Sequence, residues 1–368
     1  MGNYKKIIFN DFNNDIWDNL KQSTLPILIY GMGNGADKII SVFEEYGIEY
    51  QDVFASDGFV RGHSYKGKTV LSYSQATEKY GNNFIIVVSF GSKLPDVIEQ
   101  IYSLEEKHLV LSPDVPVCGT SLFNEAFFDL HEEELEKARE LLYDEASKEV
   151  FDNIIRYKLT GRLEYLKKTA FTEEDIDKIL QRDKYRVYAD LGAYNGDTVK
   201  KYTALCPNIN KIYAFEPDKR NFKKLSAYCD GIDSIDFTLL NMAASDSFGQ
   251  LEFASSGNRN SSGASNGSFQ HKTSLIDATS LDLVTSKADF IKYDVEGLEY
   301  KALLGSKDII SSIAPDLLVS MYHKSEDVFE LPILVKQLYP NYKLYLRRLP
   351  YIPAWDLNLY AINENIGQ

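Results

Sequence analysis

The stretch YADLGAYNGDT, residues 188–198, decides the fold of this chain. A short strand runs into a turn with two glycines, Gly192 and Gly196, which let the backbone turn tightly and a ligand approach closely. Its D-x-G-x-x-x-G spacing lacks the G-x-G-x-x-G pattern that cradles a pyrophosphate, so a dinucleotide fits poorly. Asp190, at the carboxyl edge of the strand, is suited instead to attract a cation or an ammonium group.

The next predicted strand, YAFEPD, ends in a second acidic residue. Glu216 is placed to accept both hydrogen bonds of a ribose diol, and Pro217 stops the strand. Together with Asp190 it describes a ligand with an adenosine ribose, a positively charged tail and no phosphates. S-adenosylmethionine is such a ligand. The alternative is a capping Asp and an incidental surface Glu.

Strands and helices alternate from Arg186 onward. The predicted strands are VYADLG, KIYAFEP, IDFTLLNMAA, QLEFAS, DFIKYDVEG, DLLVSMYH, NYKLYLRR and DLNLYAI. The last two, joined by a loop with two prolines, predict a terminal β-hairpin. The fold class is therefore α/β, with a mainly parallel sheet that ends in an antiparallel strand.

A second, smaller α/β pattern covers residues 25–116, which predicts a Rossmann-like domain. It contains IYGMGNGA, residues 29–36, whose G-x-G-x-x-A spacing is closer to the nucleotide fingerprint than that of residues 188–198. Asp57, after the following strand, could meet a ribose, but no catalytic residues can be placed beside it. We therefore expect an accessory site, either for a nucleotide-linked substrate or empty.

A chain of 368 residues exceeds what one core usually supports. The predicted division is an accessory or substrate-recognition domain at 1–118, a helical connector at 119–185 and the catalytic domain at 186–368. Gly161 is expected to cap a connector helix. The polar insertion SSGNRNSSGASNGS, residues 255–268, predicts either a disordered segment or a lid over the site.

Charge and composition exclude several partners. The net charge of -14 repels nucleic acid and anionic membrane surfaces. No stretch approaches the length of a membrane span, and the N-terminus has no apolar leader. Three widely spaced cysteines form neither a zinc cluster nor a disulfide framework and indicate a cytoplasmic protein. Whether the chain forms a homo-oligomer is left open by the sequence.

Several segments in order resemble the motifs of the FkbM-type methyltransferases: VYADLGAYNGDT, IYAFEPDKRNFKKL, LLNMAASD, FIKYDVEGLEYKALLG and SMYHKSEDVFELPILVKQLYPNYKLYLRR. The resemblance runs over about residues 186–362, and ELLYDEASKEVFDNIIRYKLTG resembles the segment before the catalytic domain in longer members. It implies a class I methyltransferase fold with a seven-stranded sheet. It also implies O-methylation, often of sugars in glycans or of hydroxyls in natural products.

The resemblance assigns cofactor contacts by motif. Around the methionine part it implies Asp190, Gly192, Ala193, Gly196 and Asp197. Glu216 is expected at the ribose, and Met242 and Ala243, at the end of the third strand, beside the adenine. Tyr194, Asn195 and Pro217 are further cofactor-binding candidates.

Residues of two later strands supply the candidate chemistry. Lys292 and Asp294 lie on one side of FIKYDVEG, and His323 ends the following strand. In an open α/β sheet these carboxyl ends share one edge, so Asp294 and His323 are expected to converge. His323 is the predicted general base, because an imidazole titrates near neutral pH. The alternative is a histidine hydrogen-bonded to a loop.

The remaining catalytic candidates have more than one interpretation. Asp294 can orient the imidazole, contact the cofactor or help to hold a divalent ion. Glu296 can lie behind the reacting groups or pair with Lys292, whose place in a central strand predicts a structural ion pair. The sequence has no dedicated metal motif, so a divalent metal is possible but unassigned.

The sequence thus predicts an S-adenosylmethionine-dependent O-methyltransferase of the cytoplasm. Its acceptor is expected to be a hydroxyl of a sugar, nucleotide-sugar or glycan precursor. The alternatives are methylation of a peptide or small natural product, and a non-catalytic protein that binds nucleotides.

Overall fold

A computed structural model describes residues 3–60, 62, 64–254, 262–263 and 273–364. The predicted disordered segment or lid at 255–268 lies outside the described residues, except for residues 262–263. Within the described ranges, no helix combines the length and apolar character that crossing a bilayer requires.

The N-terminal part contains a small parallel sheet flanked by helices. Its strands are β1 Ile27–Tyr30, β2 Asp52–Ala55, β3 Ser64–Tyr65, β4 Lys68–Thr69, β5 Leu71–Ser72, β6 Ile85–Val88 and β7 Leu109–Leu111. Its helices are α1 Asn3–Ile8, α2 Ile16–Gln22, α3 Asn34–Tyr46, α4 Tyr73–Tyr80 and α5 Pro95–Leu104. Over the described residues the sheet order is β5-β2-β1-β6-β7, and β3 pairs with β4 in a separate hairpin.

Helices fill the segment between the two sheets. They are α6 Glu125–Leu130, α7 Glu132–Glu140, α8 Glu145–Thr160, α9 Leu163–Lys167 and α10 Glu173–Asp177. Helix α8 begins where the side chain of Asp144 accepts a hydrogen bond from the Ser147 N–H. It ends at Gly161, whose φ of 64° places it in the left-handed region, as the sequence predicted.

The C-terminal part contains the larger sheet. Its strands are β8 Val187–Leu191, β9 Lys211–Phe215, β10 Asp236–Leu240, β11 Ala243–Ala244, β12 Gly249–Ala254, β13 Ser262–Gly263, β14 Thr273–Thr279, β15 Phe290–Tyr293, β16 Asp316–Ser320, β17 Lys343–Arg348 and β18 Leu357–Ile362. Its helices are α11 Asp197–Leu205, α12 Lys219–Cys229, α13 Leu281–Val284, α14 Glu299–Leu304, α15 Lys307–Ile313 and α16 Asp327–Leu338.

Among the described residues, seven of these strands form one sheet in the order β10-β9-β8-β15-β16-β18-β17. All pairings are parallel except those of β18, which runs antiparallel to both of its neighbours. The predicted mainly parallel sheet with a terminal antiparallel hairpin is confirmed. Strand β10 ends earlier than the sequence predicted, because β11 leaves this sheet and pairs with β14 in a second sheet.

Strand register brings the predicted residues to one edge. Lys292 in β15 lies directly opposite Asp190 in β8, and Phe215 in β9 lies opposite Leu191. The next residue along each strand, Gly192, Glu216 or Asp294, therefore emerges at the same carboxyl edge, where open α/β sheets bind their ligands.

One apolar core continues through both sheets and the helices between them. It includes Leu28 and Ile86 of the small sheet, Ile154 of α8, and Leu317 and Leu359 of the large sheet. The two sheets therefore pack as parts of one body with the connector helices. The predicted boundaries after residues 118 and 185 fall between elements, and the division into domains remains a prediction.

Candidate active site

The second glycine turn fits its place for steric reasons. Gly192 has a φ of 94°, and a Cβ there would lie 1.9 Å from the carbonyl oxygen of Asp294. The N–H groups of Gly192 and Ala193 both donate to the carbonyl of Phe215, at 3.0 and 2.8 Å. Gly196, with a φ of 89°, is the residue immediately before α11. At Gly192 the turn can therefore lie against the neighbouring strand end only without a side chain.

A cavity of about 210 Å³ opens at this edge of the sheet. The predicted site residues that line it are Gly192, Tyr194, Asp197, Glu216, Pro217, Ala243, Lys292, Asp294, Glu296 and His323. The predicted residues that do not line it are Asp190, Ala193, Asn195, Gly196 and Met242. The strand ends that were predicted from the sequence to lie together thus surround one cavity. The roles of the individual residues stay predictions.

Asp190 is wholly buried and pairs with a cation of its own chain. Its Oδ1 lies 3.4 Å from Nζ of Lys292, and its Oδ2 accepts a hydrogen bond from the Thr198 hydroxyl at 2.5 Å. The sequence suggested that Asp190 attracts a ligand ammonium, but in the structure Lys292 fills that place. Burial raises the pKa of Asp190, against the opposing attraction of Lys292.

Lys292 lies between two carboxylates. Besides Asp190 it contacts Asp294, with 3.4 Å between Nζ and Oδ2, and it donates to the carbonyl of Gly192 at 3.2 Å. Burial alone lowers the pKa of Lys292, but the two aspartates outweigh burial and raise it, so the ammonium stays charged. Its partners are therefore Asp190 and Asp294, and the suggested pairing with Glu296 is not among its ion contacts in the described residues.

Glu216 is the acidic residue at the end of β9. Its carboxylate accepts a hydrogen bond from the Asp218 N–H at 2.8 Å, and the side chain is largely buried while it faces the cavity. Burial raises the pKa of Glu216 to about 7. The residue can therefore present a carboxylate to a ligand near neutral pH.

His323 lies among three carboxylates. Its Nε2 lies 3.5 Å from Asp294 Oδ1 and 3.6 Å from Glu296 Oε2. On the other side Nδ1 lies 2.9 Å from Glu299 Oε1 and forms an ion pair with it. The imidazole itself is almost entirely buried.

These three carboxylates decide whether His323 is neutral and can accept a proton as a base. Burial lowers the pKa of an imidazole, but Glu299, Glu296 and Asp294 outweigh burial and raise the pKa of His323 to about 10. The expectation that His323 titrates near neutral pH is therefore wrong for this protein. The imidazolium is an electrostatic partner of the carboxylates, and its part in catalysis stays a prediction.

Glu296 has an unusual backbone. Its φ is 52°, in the left-handed region, and its carbonyl accepts a hydrogen bond from Cys118 Sγ at 3.1 Å. The side chain is 26% exposed and faces the cavity. Burial raises the pKa of Glu296 to about 8, against the attraction of His323. Of the carboxylates beside His323 that line the cavity, Glu296 is the one that titrates near neutral pH.

Asp294, which lies beside Glu296 in the cavity, stays ionised. Burial on its own raises the pKa of Asp294, but Lys292 and His323 outweigh burial and lower it. The hydroxyl of Tyr322 donates to Asp294 Oδ1 at 3.2 Å. The side chain is 30% exposed, so it can also accept a hydrogen bond from a ligand.

Three of these residues have the atoms to hold a metal ion. Asp294, Glu299 and His323 each offer one ligand atom, all within 4.8 Å of one another among the described residues. Glu299, however, already accepts hydrogen bonds from the N–H groups of Val295 and Gly297, at 2.8 and 3.0 Å. The charged imidazole offsets part of the negative charge of these carboxylates, and a metal remains unassigned.

Several cavity residues were missed in the sequence. They include Lys93, Val117, Thr198, Asn221, Tyr322, Tyr351, Trp355 and Asp356. Glu299, which lies behind the cavity, was also missed. A second acid three residues after Glu296, at the start of a helix, was a signal for Glu299. The Lys93 and Trp355 positions had no comparable signal, because they lie on loops of two different sheets.

The first glycine turn is explained by packing. A Cβ at Gly35 would lie 2.1 Å from the carbonyl oxygen of Ser89, and one at Gly31, whose φ is 110°, would lie 2.6 Å from the ring of Phe90. The hydroxyl of Tyr65 donates to the carbonyl of Gly33 at 3.2 Å. Gly31 and Gly35 admit the loop after β6, which continues to Lys93 at the cavity. A ligand on the turn itself is not needed to explain them.

The sheet order, the antiparallel β18 and the cavity at the carboxyl edge together define a class I methyltransferase fold. Residues 190–352 match the family model described as the methyltransferase FkbM domain. This chain therefore contains an FkbM methyltransferase domain, and the resemblance of its motifs to that family is confirmed.

Solved structures agree with this fold. The crystal structure of methyltransferase FkbM from Methylobacillus flagellatus KT is similar with a TM-score of 0.68 and 18% identity, over 98% of this chain and 94% of that one. At this identity the likeness shows the fold, and it extends over the small sheet as well as the large one. No curated protein matches the chain.

Two further structures are similar over about half of the chain. Fibrillarin from Aeropyrum pernix, in complex with natively bound S-adenosyl-L-methionine, has 14% identity and a TM-score of 0.30, over 50% of this chain and 69% of that one. An rRNA methylase from Streptococcus thermophilus has 13% identity and a TM-score of 0.32, over 51% and 92%.

Proposed function

We propose that this protein is an S-adenosylmethionine-dependent O-methyltransferase that methylates a hydroxyl of a sugar or glycan precursor. One observation carries the proposal. A single cavity is lined by Gly192 and Glu216 and by the carboxylates of Asp294 and Glu296. The first pair suits an adenosine ligand without phosphates, and the second suits an acceptor that has to lose a proton.

The residues at the cofactor side fit the methyl donor. Gly192 leaves the backbone open to close approach, and Glu216 offers an acceptor for the ribose hydroxyls. Asp197 and Tyr194 complete this wall of the cavity. When bound, S-adenosylmethionine supplies a methyl group already activated on a sulfonium, so the protein's main task is to align the acceptor oxygen with it.

The proton of the acceptor hydroxyl has to be taken up by the chain. Glu296 faces the cavity and has a pKa near neutral, which is the condition for an efficient general base. Asp294, which stays ionised, can position the sugar by accepting a hydrogen bond from a neighbouring hydroxyl, so that the proton of the reacting hydroxyl goes to Glu296. His323 then acts on both carboxylates from behind, as the cation that stabilises their ionised forms. This assigns the base to Glu296 and a positioning role to His323.

Calorimetry on the full chain tests the cofactor part. S-adenosylhomocysteine should bind, and Glu216→Ala should abolish binding, whereas NAD should not bind. Binding of NAD without binding of S-adenosylhomocysteine would reject the proposal in favour of a nucleotide-binding protein. An acceptor screen with isotopically labelled methyl donor then tests the acceptor class, since label found on a peptide or a natural product instead of a sugar would reject that part.

A further inference from the structure

The outer wall of the cavity is built from two loops that belong to different sheets. The loop between β17 and β18 contributes Tyr351 and Trp355, whose ring centroids are 5.4 Å apart. The loop after β6 contributes Lys93, which is exposed at the rim. None of these three residues belongs to the cofactor turn or to the carboxylate group around His323.

The two loops are held together by their backbones. Ser92 and Ile352 form an isolated antiparallel bridge, in which each N–H donates to the other carbonyl, at 2.8 and 3.0 Å. Gly91 lies directly against the rings, since a Cβ there would lie 2.5 Å from Trp355 Cζ3 and 3.1 Å from Tyr351 Cε1. The aromatic pair and Lys93 are thus placed before any ligand arrives, which reduces the entropy cost of binding.

Lys93 differs from the other charged residues that line this cavity. The lining otherwise has the carboxylates Asp197, Glu216, Asp294, Glu296 and Asp356, and the charged imidazole of His323, which lies among carboxylates. The other lining lysine, Lys292, is paired with Asp190 and Asp294. Within the part of the chain that the structure describes, Lys93 forms no ion pair, so its ammonium can meet an anion at the rim.

We propose that Tyr351, Trp355 and Lys93 form an acceptor subsite for an anionic sugar, with the sugar ring on the aromatic side chains and the acidic group on the Lys93 ammonium. The C–H face of a sugar ring packs on an aromatic ring, as apolar and cationic groups do. A phosphate or carboxylate pairs with the ammonium through charge-assisted hydrogen bonds. The subsite deepens the proposed function and rests on it.

Trp355 provides a direct reporter of this subsite. The chain has two tryptophans, and Trp17 is completely buried in the core of the small sheet, while Trp355 is half-buried at the cavity. Excitation at wavelengths that tyrosine does not absorb excites both tryptophans, and a sugar that enters the cavity should change the emission of Trp355 while that of Trp17 stays constant. The probes are glucose 1-phosphate, UDP-glucose, glucuronate and the neutral methyl glucoside, each titrated into the full chain saturated with S-adenosylhomocysteine.

The expected result is quenching by the acidic sugars and weaker binding of the neutral one. Lys93→Ala should weaken the binding of the acidic sugars about tenfold and leave the neutral glycoside unchanged. Lys21→Ala, at an exposed lysine of α2 remote from the cavity, is the matched control and should bind like the wild type. Comparison of glucose 1-phosphate, UDP-glucose and glucuronate shows which acidic group the ammonium prefers. Trp355→Phe should remove the signal while calorimetry still detects binding.

Failure of the subsite can be told apart from failure of the proposed function. If S-adenosylhomocysteine binds and no acidic sugar quenches Trp355, or if Lys93→Ala binds them as tightly as the wild type does, the subsite is rejected and the methyltransferase stands. If the neutral glycoside binds as tightly as the acidic sugars, the charge part is rejected. If S-adenosylhomocysteine itself does not bind, the function and the subsite are rejected together.

Discussion

The Nδ1 atom of His323 lies 2.9 Å from Oε1 of Glu299, and both side chains are buried. Glu299 also accepts hydrogen bonds from the N–H groups of Val295 and Gly297. The carboxylate therefore connects the imidazole to the turn that carries Glu296. A substitution of Glu299 should therefore alter the groups that line the cavity, although Glu299 itself does not line it.

We expect Glu299→Gln to lower the pKa of His323 from its value of about 10, because burial then acts against fewer carboxylates. The pH dependence of the imidazole chemical shifts, followed by NMR, measures this. The folded pKa lies above the unfolded value. The stability that the wild type gains from the charged imidazole is therefore fully present below about pH 6.5 and is lost as the pH rises through about 10.

Glu106→Gln is the control for this change. Glu106 is an exposed residue of the loop between α5 and β7. It should leave the His323 titration where it is. An unchanged titration in Glu299→Gln would contradict the ion pair.

The carboxylate of Glu216 should make cofactor binding depend on pH. Burial raises the pKa of Glu216 to about 7, and only the ionised form accepts hydrogen bonds from both ribose hydroxyls. The affinity for S-adenosylhomocysteine should thus fall by up to about tenfold from pH 8 to pH 6. Calorimetry at the two pH values measures it. Glu216→Gln should bind weakly at both, and an equally strong pH dependence in that variant would assign the effect to another group.

Lys292 should stabilise the fold through Asp190. Lys292→Met leaves a carboxylate that is 0% exposed without its cation, and breaking a buried pair in this way costs about 3 to 5 kcal/mol in the free energy of unfolding. Urea denaturation measures the loss. Adding Asp190→Asn should recover part of it, since the uncompensated charge is then gone. Equal stability of the single and the double variant would argue against the pairing.

Glu296→Gln should slow methyl transfer by about 10²- to 10⁴-fold while the affinity for S-adenosylhomocysteine stays unchanged. The wild-type rate should rise with pH through about 8, where Glu296 loses its proton. His323→Asn should retain part of the rate, because the carboxylate is still present. If His323→Asn were inactive and Glu296→Gln fully active, the base would be His323.

Gly35→Ala tests whether the first glycine turn serves packing. The new methyl group would collide with the Ser89 carbonyl, and overpacking of this kind costs about 1 to 3 kcal/mol. Gly58→Ala is matched to it, because no atom lies within 4 Å of a Cβ at that position, and its effect should stay within about 0.5 kcal/mol. Urea denaturation of both variants decides, and a Gly35→Ala protein as stable as the wild type would reopen the turn as a ligand site.

The carboxyl edge of the large sheet could be predicted from the sequence because strand ends are local features. Glu216 and Asp294 each end a short apolar run, and parallel strands bring such ends to one edge. His323 was placed at the same edge by the same reasoning. Its protonation could not be predicted, because it depends on Glu299, whose burial and direction follow from the packing of α14.

The wall of the cavity that Lys93, Tyr351 and Trp355 form could not be predicted for a different reason. Lys93 and Trp355 lie on loops whose neighbours are decided by how the two sheets pack, and neither loop has a pattern of its own that indicates a partner. Met242 shows a similar limit, since the end of β10 depends on where β11 changes sheets. Features that arise from a single strand were therefore accessible, and those that need two distant elements were not.

The bridge between Ser92 and Ile352 also bears on how the protein folds. Its two residues are far apart in the chain, so closing this contact costs more chain entropy than closing the local turns of either sheet. Contacts of this kind tend to form slowly. The aromatic wall should consequently be among the last parts to assemble.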